Sequence, residues 1–188
     1  MEFTFKAIGM VHSCYKEKFG IPRQSGLIPE APATVVFDPE YAKPDAVREL
    51  ARFSHIWLIF VFHQAITRDW PIMVRPPRLG GNKKVGVFAS RSPFRPNAIG
   101  MSAVALERVE IGDGGPILHI RGADLLDQTP VLDIKPYLPY SDIIHTATGG
   151  YAPDAPPPVF PVIFSETAET TLKQKERVYP DIRAIIVR

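Results

Sequence analysis

The chain has 188 residues, of which 45% are hydrophobic and 22% are charged, a composition that excludes a disordered or fibrous protein. Its 20 prolines are about twice the usual share and predict many turns and few long helices. The single cysteine, Cys14, excludes an intrachain disulfide framework and a four-cysteine zinc site. A reducing, cytoplasmic location is therefore expected, with no signal peptide and no membrane-spanning segment.

The net charge of +2 is unevenly distributed along the chain. From Arg68 to Arg95 there are seven basic residues and one acidic residue, Asp69, so this segment carries +6 and the rest of the chain −4. A basic segment of this kind favours an anionic ligand or a nucleic acid. On charge alone, a solvated basic loop is an equally good interpretation.

The N-terminal third predicts two short strands on either side of a long loop. Residues 3–13 and 33–37 are rich in β-branched and aromatic side chains, which is typical of strands. Between them, residues 13–31, here called the long loop, are polar and rich in Gly and Pro, a composition that often accompanies function. Asp45 is the expected N-cap of a short helix over 46–53, whose apolar residues repeat near the helical period.

The middle of the chain predicts further strands separated by turns. Residues 54–62 form a continuous apolar run that is too short for a core helix and is expected to be a fully buried strand. A short strand is also expected at 85–89. Residues 99–109 and 117–123 alternate between apolar and polar side chains, and they predict an antiparallel hairpin with its tip at Asp113-Gly114-Gly115.

The C-terminal third is interrupted by prolines. Residues 125–140 are short apolar pieces cut by proline, and 147–158 is expected to be a Pro-rich linker. A strand at 159–164 and two helical pieces, at 166–178 and 180–188, are expected to follow. Many short strands with turns between them predict a mainly β domain, either a barrel or a sandwich.

Several common active-site motifs are absent from the sequence. There is no G-x-G-x-x-G fingerprint after a strand, and residues 81–86 lack the Lys-Ser/Thr pair that a P-loop needs. There is no H-E-x-x-H, no His/Cys cluster at metal spacing and no G-x-S-x-G elbow. Standard nucleotide chemistry, metal-dependent hydrolysis and serine hydrolysis lose support, and no metal site is expected.

Four polar, proline-stiffened segments are candidates for a functional site. Residues 19–26 offer Arg and Gln side chains to a carboxylate or a nucleoside, and His63-Gln64 follows an apolar strand at the expected barrel rim. Residues 91–97 hold two arginines in stiff backbone, which suits phosphate or carboxylate recognition. Residues 127–140 combine an acid, a base and two phenols. Taken one at a time, these segments are also consistent with a capped turn, a structural histidine and simple ion pairing.

Together these segments resemble one family. The strings that carry the resemblance are KEKFGIPRQSGL, FSHIWLIFVFHQ, VRPPRLGGNKKVGVFASRSPFRPNAIGMS and GADLLDQTPVLDIKPYLPYSD. They look like the TsaA-like domain of the TrmO (YaeB-like, VirR) family over about residues 4–145, and RSPFRPN and LDIKPYLPY are highly specific. The expected organisation is a TsaA-like barrel over 1–146, the linker over 147–158 and a C-terminal extension over 159–188.

The resemblance implies a small antiparallel β-barrel that binds S-adenosyl-L-methionine and pairs into homodimers, with the cofactor near the subunit interface. Characterised family members methylate N6 of threonylcarbamoyladenosine at tRNA position 37. The implied function is therefore an S-adenosylmethionine-dependent tRNA methyltransferase, with tRNA as its partner. Family cofactor contacts map onto Pro22, Arg23, Gln24, His63, Gln64, Arg91, Met101, Asp127, Gln128, Thr129 and Pro130.

This chain departs from the family pattern in three places. Met101 stands where Leu is more common, a conservative change for an apolar wall, and Gln128 replaces a common Gly, which is expected to affect that turn. Longer bacterial members carry a C-terminal domain that helps to grip tRNA, and residues 161–188 resemble only its start. The chain is expected either to work without that domain or to make fewer RNA contacts.

The implied chemistry suggests further roles. Methyl transfer from a sulfonium needs alignment and exclusion of water rather than a metal or a covalent nucleophile. The N6 proton of the modified adenosine belongs to a ureido group, so a modest base can remove it. Asp133 is the candidate base or orienting group, and Tyr137 and Tyr140 are candidates for stacking on the adenine. The candidate RNA contacts in the basic segment are Lys83, Lys84 and Arg95.

Three interpretations from different classes stay open. The first is an RNA methyltransferase, the second is a module that binds S-adenosylmethionine without turnover, such as a sensor, and the third is a β-barrel RNA-binding protein without a cofactor. The intact segments 22–24 and 127–130 argue against the third, and the short C-terminal extension keeps the second open. A methyltransferase that acts on another RNA or on a small substrate is a further alternative.

Overall fold

Six of the strands form a closed antiparallel barrel in the computed structural model, which describes residues 1–156 and 160–188. The strands are β1 (Gly9–Ser13), β2 (Pro32–Phe37), β3 (His55–Val61), β4 (Met73–Val74), β5 (Val85–Gly86), β6 (Ile99–Gly112), β7 (Gly115–Arg121) and β8 (Thr129–Pro136). Around the barrel the order is β1-β2-β7-β6-β3-β8, and every neighbouring pair is antiparallel. The mainly β barrel expected from the sequence is confirmed.

Alternation of side chains along the strands places the core inside the barrel. Every second residue of β3 and β7 is buried, and the residues between them face outward and are partly exposed. The expectation of a fully buried strand over 54–62 is therefore wrong, because the wall of a barrel has one inner and one outer face. The fully buried centre of the core includes Val11, Val35, Ile56, Leu58, Val104, Leu118, Ile120 and Val131.

The hairpin of β6 and β7 is confirmed, and Asp113 and Gly114 form its turn because Gly112 pairs with Gly115. β8 was not expected, since its prolines interrupt the pattern of a strand. Pro130 is the second residue of β8 and Pro136 the last, so the ladder hydrogen bonds that proline cannot donate are missing only near the strand ends. Strand pairing with both β1 and β3 therefore survives the two prolines.

The first part of the chain departs from two expectations. Residues 3–8 lie outside any strand, and the barrel begins with β1. The single helix expected over 46–53 is instead two short 3-10 helices, Pro44–Val47 and Leu50–Arg52. Glu49, which lies between them, has a φ of 66°, a left-handed backbone conformation that a right-handed helix cannot continue through.

β4 and β5 pair with each other inside the basic segment. The strand expected over 85–89 is shorter in the structure, because the chain turns into a 3-10 helix at Val87–Ala89. β4, its partner, was not expected. Residues 68–95, which contain this small sheet, are called the basic arm below.

Among the described residues, three helices follow the barrel: α1 (Pro139–Asp142), α2 (Glu166–Glu176) and α3 (Ile182–Val187). The two helical pieces expected at the C-terminus are confirmed as α2 and α3, and the N-cap Ser165 accepts a hydrogen bond from the Ala168 amide at 3.2 Å. The prediction of a strand over 159–164 is wrong for residues 160–164, which form no strand in the structure. The closed barrel offers these residues no free edge to pair with. Val159 and residues 157–158 of the expected linker lie outside the described residues, and the expected domain boundaries stay predictions.

The C-terminal helices pack against the barrel and the long loop. The Arg121 guanidinium, at the end of β7, donates to the Asp181 carboxylate at 2.7 Å, immediately before α3. Ile185 of α3 packs against an apolar cluster that includes Tyr15 and Ile28 of the long loop. Across residues 1–156 and 160–188, no helix combines the length and the apolar character that a membrane crossing requires.

Candidate active site

A cavity of about 750 Å³ lies at one end of the barrel. Its wall includes Ser102, which faces the barrel interior, and Met101, which faces outward from the same strand, so the cavity continues from the barrel mouth onto the outer face of β6. Cavities of this size hold small organic ligands. The segments that meet here are 18–25 of the long loop, 62–65 after β3, 90–95 of the basic arm, 99–103 of β6 and 124–126 before β8.

The long loop is fixed to the segment that joins β7 to β8. The Ser13 hydroxyl donates to the Leu125 carbonyl at 2.7 Å in a buried hydrogen bond. Farther along the loop, the Gly26 amide donates to the Gly122 carbonyl at 2.8 Å. The loop is therefore held on both sides of Pro22–Gln24, which gives those residues a defined position at the edge of the cavity.

Asp127 strengthens this attachment from outside the cavity. Its carboxylate accepts a hydrogen bond from the Ser13 amide at 3.0 Å and pairs with the Lys16 ammonium at 2.7 Å. Burial alone would raise the pKa of Asp127, but the hydrogen bonds from Lys16 and Ser13 outweigh it, and the pKa is lowered. Although the resemblance implies a cofactor contact for Asp127, the structure places it as a support of the long loop.

The next residues form the turn that enters β8. Gln128 has a φ of 63°, a conformation that Gly adopts freely, and its side-chain amide lies 2.9 Å from His12 Nδ1. Gln128 and Pro130 are not among the residues that line the cavity, whereas Thr129 is. Thr129 is buried, and its hydroxyl donates to the Leu126 carbonyl at 2.7 Å. The turn therefore brings one of its four expected contact residues to the cavity wall.

Eight of the eleven expected cofactor positions line the cavity. Arg91 Nη1 donates to Gln24 Oε1, which joins the basic arm to the long loop across 67 residues of sequence. The cavity wall thus depends on contacts between segments that are distant along the chain. The eight positions are Pro22, Arg23, Gln24, His63, Gln64, Arg91, Met101 and Thr129.

The candidate RNA contacts fall in two places. Arg95 lines the cavity, where its guanidinium donates to the Ser90 carbonyl at 2.8 Å and lies 5.7 Å from the centre of the Phe88 ring. Arg95 therefore fixes the turn at the base of the arm. Lys83 and Lys84 are exposed on the basic arm and are not part of the cavity wall.

Aromatic side chains form another wall of the cavity. The rings of Tyr137 and Trp57 lie 5.6 Å apart between centroids. The Trp57 indole N–H donates to the Asp142 carboxylate at 3.0 Å, and the Leu138 amide donates to the same oxygen at 2.7 Å, so the indole has a fixed orientation. Tyr140 lies outside the cavity wall and is 87% exposed.

Asp133 also lies outside the cavity wall. It stands opposite Ile59 on the outer side of the barrel, and its carboxylate pairs with Lys135 at 2.8 Å and accepts the Ile134 amide at 2.9 Å. The structure brings neither Asp133 nor Tyr140 to the cavity. The roles expected for these two residues stay predictions without geometric support, and the role of Tyr137, which does line the cavity, also stays a prediction.

Sequence reasoning missed both acidic residues of the cavity wall, Asp142 and Asp124. The buried Ser102 hydroxyl donates to the Asp124 carboxylate at 2.6 Å. Burial raises the pKa of Asp124 above its ordinary value, and the hydrogen bond from Ser102 offsets only part of this effect. The available signal was an acid between two apolar residues, Ala123 and Leu125, that are both buried. In the part of the chain that the structure describes, no group of three or more His, Cys, Asp or Glu side chains could hold a metal ion.

The closed barrel and the ligand-sized cavity at its mouth, which combines apolar and charged side chains, define a β-barrel ligand-binding protein. A family described as the tRNA-methyltransferase O N-terminal domain matches residues 10–143. The chain belongs to this family.

The chain is similar to bacterial proteins over nearly its whole length. A tRNA (adenine(37)-N6)-methyltransferase from Escherichia coli is 47% identical over 184 residues, which cover 98% of this chain and 78% of the relative. A putative S-adenosylmethionine-dependent methyltransferase from Pseudomonas aeruginosa is 50% identical over 168 residues, which cover 89% of this chain and 68% of the relative. A crystal structure of TrmO matches with a TM-score of 0.81 at 41% identity and covers 100% of this chain and 79% of the other.

Asp127→Asn tests the support of the long loop. The pKa of Asp127 is lower in the folded protein than in the unfolded chain, so its charged carboxylate stabilises the fold. This stabilisation is fully present above the unfolded pKa of about 3.9 and is lost as the pH falls through the lower, folded pKa. Losing hydrogen bonds to a charged group costs about 1.5 kcal/mol. Urea denaturation should show that Asp127→Asn is less stable than the parent by about this amount at pH 7. The difference should close below pH ~4.

Asp113→Asn, at the exposed tip of the β6–β7 hairpin, is the matched control. It should unfold like the parent at both pH values. Equal stability of Asp127→Asn and the parent at pH 7 would contradict the role given to Asp127.

Proposed function

We propose that this chain is an S-adenosylmethionine-dependent tRNA methyltransferase that methylates N6 of threonylcarbamoyladenosine at tRNA position 37. The observation that carries the proposal is the cavity, in which eight expected cofactor positions from separate segments meet. Membership of the family and the names of the relatives from Escherichia coli and Pseudomonas aeruginosa support the same activity and cofactor.

A cytoplasmic location is part of the proposal, since tRNA is found there and the exposed Cys14 is unpaired in the structure. Cell fractionation tests this location.

The residues of the cavity fit S-adenosylmethionine. A volume of about 750 Å³ accommodates a nucleoside with an amino-acid side arm. Arg23 and Gln64 offer polar groups to the carboxylate and the base edges, and Phe60, Phe62 and Met101 offer an apolar surface to the ring and the methylene groups. These residues would hold the cofactor. When bound, it supplies an electrophilic methyl group carried by a positively charged sulfur.

The chain's own part in the reaction is to orient the reactants and to exclude water. Orientation of two reactants in one site accounts for a large part of the barrier reduction in a displacement of this kind. The role proposed for Tyr137, whose ring lies beside Trp57 in the cavity wall, is to stack on the adenine of the tRNA. The N6 proton must leave as the carbon–nitrogen bond forms, and the acidity of the ureido group allows a weak base or water to accept it.

Arg91→Ala tests the assignment of the cavity. Arg91 lines the cavity and is bonded to Gln24, so its loss removes a guanidinium from the wall and disconnects the arm from the long loop. Loss of a charge-assisted hydrogen bond costs roughly 1.5–3 kcal/mol, which raises the dissociation constant of the cofactor or the KM for tRNA by roughly 10- to 100-fold. Calorimetry with S-adenosylmethionine and methyl incorporation into tRNA that carries threonylcarbamoyladenosine measure these effects.

Arg48→Ala is the matched control, since Arg48 is exposed and pairs with Asp45 away from the cavity. It should bind and methylate like the parent. A parent protein that shows no heat of binding at millimolar cofactor would sink the proposal. A parent that binds the cofactor but leaves the modified tRNA unmethylated would support the binding-module alternative instead.

We also propose that the basic arm contacts the tRNA backbone through Lys83 and Lys84, which are exposed and lie in the segment of charge +6. Each phosphate contact to single-stranded RNA contributes about −0.7 to the slope of log K against log salt.

The double variant Lys83→Glu with Lys84→Glu should therefore flatten this slope by about 1.4 in filter-binding assays and leave cofactor binding unchanged. The control is Lys173→Glu with Lys175→Glu on α2, which keeps the parent slope. A double arm variant with the parent slope would show that these lysines serve only solubility.

We further propose a homodimer in which the face of the basic arm and β6 is covered by the second subunit. Exposed apolar side chains on this face include Ile72 (75% exposed), Phe88 (73%) and Met101 (59%). Apolar patches of this kind mark interfaces, and a specific dimer should bury at least about 1,000 Å² in total. Because Met101 also lines the cavity, such a dimer would place the cofactor near the subunit boundary.

Light scattering tests the dimer. The parent should scatter as a particle of twice the chain mass of 20.9 kDa, and Ile72→Asp should shift it toward the monomer by placing a charge in the apolar face. Ile111→Asp, at the far end of β6 and 55% exposed in the parent, is the matched control and should stay dimeric. A parent that scatters as a 20.9 kDa particle at tens of micromolar contradicts the dimer.

A further inference from the structure

Asp124 is an acidic residue of the cavity wall for which the structure provides no cationic partner. Its carboxylate accepts the Ser102 hydroxyl at 2.6 Å, and within residues 1–156 and 160–188 no Lys, Arg or His side chain pairs with it. The other cavity acid, Asp142, differs, because one of its oxygens accepts both the Trp57 indole and the Leu138 amide. Asp142 therefore fixes the orientation of the Trp57 indole, whereas Asp124 accepts a hydroxyl from the neighbouring strand.

Two of the cationic side chains in the cavity wall, Arg91 and Arg95, have partners other than Asp124. Arg91 donates to the Gln24 side chain, and Arg95 donates to the Ser90 carbonyl. Arg91 is near enough to Asp124 to favour its charged form, but the effect of burial is larger, and the pKa of Asp124 is raised. A partly buried carboxylate of this kind is stabilised by a cation that the fold does not supply.

The backbone on either side of Asp124 is anchored, which fixes the position of this residue in the cavity wall. Ala123 and Leu125, on either side, are buried in the core of the barrel. The Leu125 carbonyl accepts the Ser13 hydroxyl at 2.7 Å, and the Gly122 amide donates to the Ala31 carbonyl at 3.0 Å. A charge that is held in this way at the floor of a ligand cavity is typical of a group that binds ligand.

We propose that Asp124 binds a cationic group of S-adenosylmethionine, either its ammonium or its sulfonium. The proposal rests on the proposed function, which supplies the cofactor. S-adenosylmethionine carries two positive charges and one negative charge, so it enters as a net cation. The charged side chains that line its cavity are mainly basic: four are cationic (Lys18, Arg23, Arg91 and Arg95) and two are acidic (Asp124 and Asp142). A carboxylate in contact with the cofactor offsets that repulsion and leaves the arginines for anionic groups.

The Ser102 hydrogen bond favours binding over proton transfer as the role of Asp124. A hydroxyl that donates to a carboxylate stabilises its charged form. Ser102 is itself buried and fixed in β6, where it pairs with Leu58 across the β3–β6 ladder. Ser102 is thus a positioning residue that fixes one oxygen of the Asp124 carboxylate within the cavity wall.

Asp124→Asn tests the proposal, because it removes the charge and keeps both the shape of the side chain and an acceptor for Ser102. Calorimetry is performed on the full chain with S-adenosylmethionine and with S-adenosylhomocysteine, which keeps the ammonium but lacks the sulfonium charge. The variant should bind S-adenosylmethionine roughly 10- to 100-fold more weakly than the parent. An equal loss for both ligands identifies the ammonium as the partner, and a loss for S-adenosylmethionine alone identifies the sulfonium.

The thermal melting temperature without ligand is the second measurement. Since the folded pKa of Asp124 is raised, folding disfavours its charged form at pH 7, and Asp124→Asn should melt at or above the parent temperature. Weaker binding by an intact fold supports the proposal. Asp113→Asn, at the hairpin tip, is the matched control and should bind both ligands like the parent.

Two results would overturn the inference. If Asp124→Asn binds both ligands within about twofold of the parent, Asp124 is not a cofactor ligand, and a loss of methylation rate alone would then assign it to proton transfer. If the parent itself binds no S-adenosylmethionine, the proposed function fails together with the inference. The two failures are distinguished by the binding of the parent.

Discussion

The buried hydrogen bond from the Ser13 hydroxyl to the Leu125 carbonyl, 2.7 Å long, connects two segments that are 112 residues apart. It joins the end of β1 to the connection that leads into β8, and Asp127 adds a second attachment to the Ser13 amide. β1 and β8 pair over three positions, so these side-chain contacts extend a short ladder. Closure of the barrel and the position of the long loop therefore depend on the same few atoms.

Positive and negative side chains differ in their exposure at this site. Lys83 and Lys84 lie on the exposed basic arm, while Asp124 lies at the cavity floor with its carboxylate near Ser102. Exposed cations attract a polyanion at long range, whereas a partly buried acid acts only on what enters the cavity. One small barrel can thus present opposite charges to an RNA and to a cationic cofactor without placing them in competition.

The sequence pattern predicts those strands that pair with a neighbour close by in the sequence. The alternation of β6 and β7 and the glycines of their turn predict the hairpin, but β8 depends on neighbours that are remote in sequence, and Pro130 hides it. The same distinction holds for the site. The cofactor segments lie in specific strings that carry a family resemblance, whereas Asp124 acquires its environment from Ser102, 22 residues away, and from folding itself. The available sequence signal, an acid between two apolar residues, does not specify what its side chain contacts.

The packing of α3 on the long loop couples the C-terminus of the chain to the cavity. Ile185 packs against the cluster that contains Tyr15 and Ile28, and the Arg188 guanidinium lies 3.3 Å from the Glu30 carboxylate. The same loop carries Pro22–Gln24 to the cavity edge. In this chain the C-terminal tail is therefore not a neutral spacer, since α3 packs on the loop that reaches the cavity. In a chimera, the loop and the helix that braces it form one module and have to be transferred together.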